Sequence, residues 1–122
     1  MHWLLVFLGG GLGAMARHGV NRLGLAMLGP GFPWWTLAVN VTGSFLIGLL
    51  AGLFGALETE HRARLFLITG FLGGFTTFSA FSLEALTLWE RGAGLQSGLY
   101  ILGSVCLSLI GAALGLMLSR LV

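Results

Sequence analysis

Polar side chains recur at helical spacing within otherwise apolar stretches of this sequence. Thr36, Asn40 and Ser44 follow one another at intervals of four residues, so they share one face of a helix. Hydroxyl and amide groups can donate hydrogen bonds to an anion without the fixed positive charge that would trap it, and a conducting site must release its ion. Bonding between helices is the ordinary use of such groups in a membrane, but two aligned sets favour a polar path. The second set consists of Tyr100, Ser104 and Ser108.

The stretch "GFLGGFTTFSAFS", residues 70–82, predicts an interrupted helix. Gly73 and Gly74 weaken a helix, and the neighbouring hydroxyls compete for its backbone hydrogen bonds. Unwound backbone is tolerated inside a membrane only where it is buried in protein or lines a cavity. We therefore expect the third helix to be broken near the midplane, with freed carbonyls that can bind a small cation.

Phe78 and Phe81 follow this point at a spacing of three, so they project from one side of the helix. Packing is the common role of phenylalanine in a membrane helix. The ring edges also carry partial positive charge, however, and can face an anion while offering it little hydration. The pair is a candidate wall of an anion path.

These residues lie in a chain whose composition is that of an integral membrane protein. Its 122 residues are 57% hydrophobic and only 8% charged, with a mean hydropathy of +0.97, which is too little charge for a soluble domain. Four apolar runs, each long enough to span a bilayer, predict one all-α domain covering residues 1–122, with helices at about 3–28, 34–57, 65–90 and 94–121. Glycines spaced by four predict close helix packing: Gly9 with Gly13, Gly48 with Gly52, Gly70 with Gly74, and Gly111 with Gly115.

The arginines are divided evenly between the two sides of such a four-helix arrangement. An excess of Lys and Arg on the cytoplasmic side normally sets orientation, but here three arginines fall on each side, and the sequence has no lysine. The balance predicts insertion in both orientations and an antiparallel homodimer with its site near the midplane. One side carries Arg62, Arg64 and Arg120, and the other carries Arg17, Arg22 and Arg91.

Two other classes of function fit the sequence less well. A proton-coupled exporter of the small multidrug resistance type needs a titratable carboxylate facing its chamber, typically in the first helix, and residues 3–28 contain neither Asp nor Glu. An enzyme is not expected, because the sequence shows no recognisable combination of a nucleophile, a base and a residue that orients the base. His2, His18 and His61 lie at or near predicted helix ends and are not at metal-ligand spacing with Cys or acids.

The sequence resembles the Fluc (CrcB) family of fluoride channels over its whole length. The resemblance is carried by "GLGAMARH" (11–18), "TLAVNVTGSFLIG" (36–48) and "GFLGGFTTFSAFSLE" (70–84), in the family's order. It implies an antiparallel dual-topology homodimer in the inner (cytoplasmic) membrane, with two separate pores lined by both subunits. The implied activity is passive fluoride efflux that reduces fluoride toxicity. The implied partners are a second copy, fluoride and the lipid bilayer, and no nucleic acid.

The same resemblance assigns roles to individual residues. Backbone carbonyls of Gly73 and Thr76 from both chains would hold a structural Na⁺ at the dimer centre, and Arg17 would attract anions toward a vestibule. Glu84 falls on the family motif, whereas His18 and Ala80 depart from it. The implied fluoride pore consists of Asn40, Phe78, Phe81, Thr77, Ser79, Tyr100, Ser104 and Ser108.

Overall fold

The computed structural model describes residues 1–55 and 61–122, and every regular element in those residues is helical. Two long helices come first, and a segmented third helix and a long last helix follow. In chain order the elements are α1 (His2–Leu28), α2 (Trp34–Gly55), α3 (His61–Arg64), the π-helix π1 (Leu65–Leu72), α4 (Gly73–Phe75), α5 (Phe78–Glu90) and α6 (Gly94–Ser119).

The third helical segment begins at His61, four residues before its predicted start at residue 65. Arginine is a good helix former, so the charged residues before residue 65 are already helical. The predicted start marks only where the apolar run begins. The predicted end of the second helix, residue 57, lies outside the described residues. The first and last helices agree with their predicted ranges to within two residues.

Three helical segments are long and apolar enough to cross a membrane: Trp34–Gly55, His61–Glu90 and Gly94–Ser119. α1 has 27 residues, which is about 40 Å of helix, but Arg17, His18, Asn21 and Arg22 lower the hydropathy of its second half. The prediction of an all-helical, multi-pass membrane protein is confirmed. A fourth span in α1 stays a prediction.

The interruption of the third segment lies at Thr76 and Thr77, three residues beyond Gly73. Both threonines have extended backbone, with φ −82° and ψ 154° at Thr76 and φ −149° and ψ 117° at Thr77. Gly73 is helical, with φ −61° and ψ −37°, so glycine does not itself unwind the chain here. The helix is interrupted where the Asn40 side chain on α2 accepts from the Thr77 N–H and the Thr77 hydroxyl accepts from the Ala80 N–H.

Glycines bring two pairs of elements into backbone contact. α1 packs along π1, where a Cβ at Gly9 would overlap the carbonyl oxygen of Phe66 and one at Gly13 that of Phe71. α2 packs along α6 in the same way, since a Cβ at Gly48 would overlap the carbonyl oxygen of Ala112. A Cβ added at any of the eight glycines predicted to mediate packing would lie within 4 Å of atoms of a neighbouring element.

Candidate functional site

The two polar stripes meet in a groove between α2, the interrupted segment and α6. The groove has a volume of about 400 Å³ and is partly open. Asn40 and Ser44 from α2 face Ser104 and Ser108 from α6 across it. The backbone of the interruption and the two phenylalanines supply the rest: Gly73, Thr76, Thr77, Phe78 and Phe81.

Asn40 holds the unwound backbone at Thr77 with both ends of its amide. Its Nδ2 donates to the Thr77 carbonyl oxygen at 3.0 Å, and the Thr77 N–H donates to its Oδ1 at 2.8 Å. A backbone break in a membrane must have its polar groups satisfied by protein or by water. Asn40 meets that requirement from α2 and so fixes where the break lies.

Thr77 begins α5 through its side chain. Its Oγ1 accepts from the Ala80 N–H at 3.1 Å, which is the usual N-cap interaction of threonine. The same hydroxyl is 3.3 Å from the hydroxyl of Ser79. Thr76 instead closes the preceding turn, because both its N–H and its Oγ1 donate to the Leu72 carbonyl oxygen, at 3.0 Å and 2.9 Å.

This geometry changes the partners of two backbone carbonyls. In a continuous α-helix the Gly73 carbonyl would accept from the Thr77 N–H, and the Thr76 carbonyl from the Ala80 N–H. Those two N–H groups donate instead to Asn40 and to the Thr77 hydroxyl. The carbonyls of Gly73 and Thr76 are therefore released from their normal helical partners.

Arg17 contacts the interruption from α1. Its Nε donates to the Gly74 carbonyl oxygen at 3.1 Å, the carbonyl that would accept from Phe78 in a continuous helix. A fixed positive charge thus lies beside the break, outside the residues that line the groove. The Nη groups of the guanidinium are additional donors at the same place.

The two phenylalanines differ in burial although they are one turn apart. Phe81 is 8% exposed and its ring centroid lies 5.2 Å from that of Tyr100. Phe78 is 78% exposed, with its centroid 5.5 Å from that of Phe81. Phe81 is therefore part of the core of the chain, whereas the ring of Phe78 lines the groove and is exposed at the surface of the single chain.

A hydrogen-bonded group of three side chains lies behind Phe81, and sequence reasoning did not find it. The Thr36 hydroxyl donates to Oε1 of Glu84 at 2.7 Å, and the Tyr100 hydroxyl donates to Oε2 at 3.4 Å. Thr36 and Tyr100 are each 1% exposed. A carboxylate at membrane depth needs such partners. The sequence placed Thr36 and Tyr100 on the two polar stripes and Glu84 on the family motif, but it did not indicate that the three meet.

Ser104 has a buried hydroxyl that forms no hydrogen bond within residues 1–55 and 61–122. The residue is 5% exposed and lines the groove. A buried unsatisfied polar group costs about 1–3 kcal/mol, so the groove provides an unused donor. An ion or water that occupied the groove would satisfy it.

The predicted site residues thus divide into those that share the groove and those that do not. Tyr100 lies under Phe81 with Glu84, Ser79 is exposed at the start of α5, and Arg17 lies behind the interruption. The groove contains Asn40, Thr77, Phe78, Phe81, Ser104 and Ser108, together with Gly73 and Thr76.

Together, the apolar helices and the partly open groove with its polar side chains define a multi-pass membrane protein. The chain belongs to the CrcB family: residues 4–116 match the family described as "CrcB-like protein, Camphor Resistance (CrcB)".

Curated relatives of the chain are similar over nearly its full length. It is 54% identical to the "Fluoride-specific ion channel FluC" of Rhodopseudomonas palustris (strain BisB5), over 98% of each chain. It is 51% identical to the protein of the same name from Sphingopyxis alaskensis, over 94% of this chain and 92% of that one. With the Mesorhizobium japonicum protein of that name the identity is 50%, over 96% and 94%.

Proposed function

We propose that this protein is a fluoride-selective ion channel that lets fluoride leave the cell passively across the inner (cytoplasmic) membrane. The observation that carries the proposal is the groove, in which Asn40 and the Ser104 and Ser108 hydroxyls face one another beside Phe81. The relatives named as fluoride channels are about half identical to the chain over nearly its whole length. They also support the expectation that the chain is not an enzyme.

The chemistry of the groove suits a small anion. The hydroxyls of Ser104 and Ser108 and the second N–H of the Asn40 amide can replace water around the ion. The edges of the Phe78 and Phe81 rings add weak positive potential without a charge that would trap it. Thr77, Ser79 and Tyr100 complete the proposed pathway, at the N-terminus of α5 and behind Phe81.

A second copy of the chain, inserted in the opposite orientation, would complete this pathway. The groove is partly open, and hydroxyl and amide groups at this depth are expected to face protein or water and not lipid. The exposed ring of Phe78 at its edge would then contact the partner chain. Three arginines on each side of the membrane support an antiparallel arrangement.

The proposed Na⁺ would lie at the interruption of the third segment. The carbonyls of Gly73 and Thr76 are those whose usual helical N–H partners donate elsewhere. Carbonyl oxygens are hard ligands that suit a cation of this kind, and two antiparallel chains would present four of them. The ion would hold the two interruptions together, and the Nη groups of Arg17 would attract fluoride toward the entrance.

Growth of cells in fluoride tests the proposed function. A bacterial strain that lacks its own fluoride exporter should grow in fluoride when it expresses this protein. The Asn40→Asp variant should not restore growth, although it should be present in the membrane in similar amount. Equal growth with and without the wild-type protein would contradict the proposal.

A further inference from the structure

Two histidines that are far apart in the sequence lie side by side in the fold. The rings of His2, at the start of α1, and His61, at the start of α3, have centroids 5.0 Å apart and planes inclined by 79°. Both residues are exposed, and neither belongs to the groove. The packing of α1 along π1, which continues directly from α3, brings them together.

This separation matches that of two imidazoles bound to one metal ion. Zn–N bonds are about 2.0–2.1 Å and a ring centroid lies about 1.1 Å behind its nitrogen, so a tetrahedral angle places two centroids about 5.2 Å apart. An edge-to-face aromatic contact has a similar distance. The two explanations differ in chemistry, because only coordination requires the ring nitrogens.

We propose that His2 and His61 form a two-histidine site for a divalent transition metal ion such as Zn²⁺ or Cu²⁺. Imidazole is the common protein ligand for these ions, and water can fill the remaining positions because both rings are exposed. Bound metal would tie the start of α1 to the start of α3. This site is distinct from the proposed Na⁺ site, since its ligands are imidazole nitrogens and not carbonyl oxygens.

The neighbouring charges limit the affinity of the site. Arg62 and Arg64 follow His61 on α3, and their positive charge disfavours the binding of a metal cation nearby. Glu58 and Glu60 precede His61 in the sequence but lie outside the described residues. We expect binding weaker than that of a four-ligand structural zinc site.

Substitution of each histidine by phenylalanine separates coordination from packing. His2→Phe and His61→Phe keep an aromatic ring at the contact but remove the nitrogens, and His18→Phe on α1 is the matched control. Zn²⁺ should raise the thermal unfolding midpoint of the purified wild-type protein by a few degrees. The rise should be lost in both test variants and kept in His18→Phe. It should also be kept in Cys106→Ser, which removes the single, free thiol of the chain.

The spectrum of bound Cu²⁺ gives a second measurement that does not depend on stability. Electron paramagnetic resonance should show two imidazole nitrogens on the ion in the wild-type protein and one in either single variant. An unchanged unfolding midpoint of the wild-type protein in Zn²⁺ would overturn the proposal. So would a midpoint rise or a two-nitrogen spectrum that persists in His2→Phe and His61→Phe, because the rings would then only pack.

Discussion

The side-chain amide of Asn40 is paired at both ends with the unwound backbone of Thr77, through hydrogen bonds of 3.0 Å and 2.8 Å. This pairing joins α2 to the start of α5 and diverts the Thr77 N–H from the Gly73 carbonyl. One residue thus fixes the break, releases a carbonyl there and lines the groove. The proposed cation site and the proposed anion path therefore share a structural cause.

Asn40→Asp should slow fluoride flux by at least about tenfold, which corresponds to a barrier increase of about 1.4 kcal/mol. The carboxylate can still accept from the Thr77 N–H, but it cannot donate to the Thr77 carbonyl and it places negative charge beside an anion path. Ser82→Ala is the matched control, because Ser82 donates only to the Phe78 carbonyl of its own helix. Efflux from liposomes measures both variants, and wild-type flux in Asn40→Asp would contradict this role of the amide.

Replacement of the two phenylalanines by isoleucine should have different effects on stability but similar effects on flux. Phe81→Ile removes a buried ring that contacts Tyr100 and should lower the free energy of unfolding by about 1–3 kcal/mol. Phe78→Ile should cost less, because Phe78 is exposed in the single chain. Both should slow fluoride efflux while leaving the dimer intact.

Chemical denaturation, size-exclusion chromatography and liposome efflux measure these three effects. Leu83→Ile, at an exposed position on the same helix, is the matched control and should resemble the wild type in all of them. Wild-type efflux in both Phe78→Ile and Phe81→Ile would show that the rings only pack.

Gly115→Ala should prevent α6 from packing on α2. A Cβ at Gly115 would overlap the carbonyl oxygen of Phe45 and lie 2.6 Å from the Leu49 nitrogen, so the helices must separate. We expect a loss of several kcal/mol or failure to fold. Gly103→Ala on the same helix meets no atom within 4 Å, and the higher helix propensity of alanine should leave it neutral or up to about 1 kcal/mol more stable. Thermal unfolding in detergent compares them, and equal midpoints would contradict the packing described.

The sequence predicted the polar composition of the groove better than the local geometry of the backbone. Spacing by four placed Asn40, Ser44, Ser104 and Ser108 on two helix faces, and those faces meet. The site of the interruption depended on the long-range pairing of Asn40 with Thr77, so glycine content alone misplaced it by three residues. The contacts of Glu84 with Thr36 and Tyr100 are likewise long-range, and no local pattern indicates the π-helix at Leu65–Leu72.

The orientation of Tyr100 shows the limit of helical spacing as a guide. It lies on the same stripe as Ser104 and Ser108, but its long side chain reaches past the groove to Glu84 and packs against Phe81. Spacing predicts the face from which a side chain leaves the helix. It does not predict where a long side chain ends.

Dual topology should be visible in the labelling of a single cysteine. With the native thiol removed by Cys106→Ser, a cysteine added at the C-terminus should be labelled from both sides of the membrane in similar amounts. Replacing Arg62 and Arg64 by glutamine leaves one arginine against three, so labelling should shift strongly to one side. One-sided labelling of the protein with its natural arginines would contradict the antiparallel dimer.

Fluoride efflux from liposomes containing only this purified protein tests the central claim most directly. A fluoride electrode should record rapid efflux that follows the fluoride gradient, continues without a proton gradient and greatly exceeds chloride efflux under matched conditions. Chloride flux equal to fluoride flux would contradict a fluoride-selective channel. Efflux that stops when the proton gradient is abolished would contradict passive conduction.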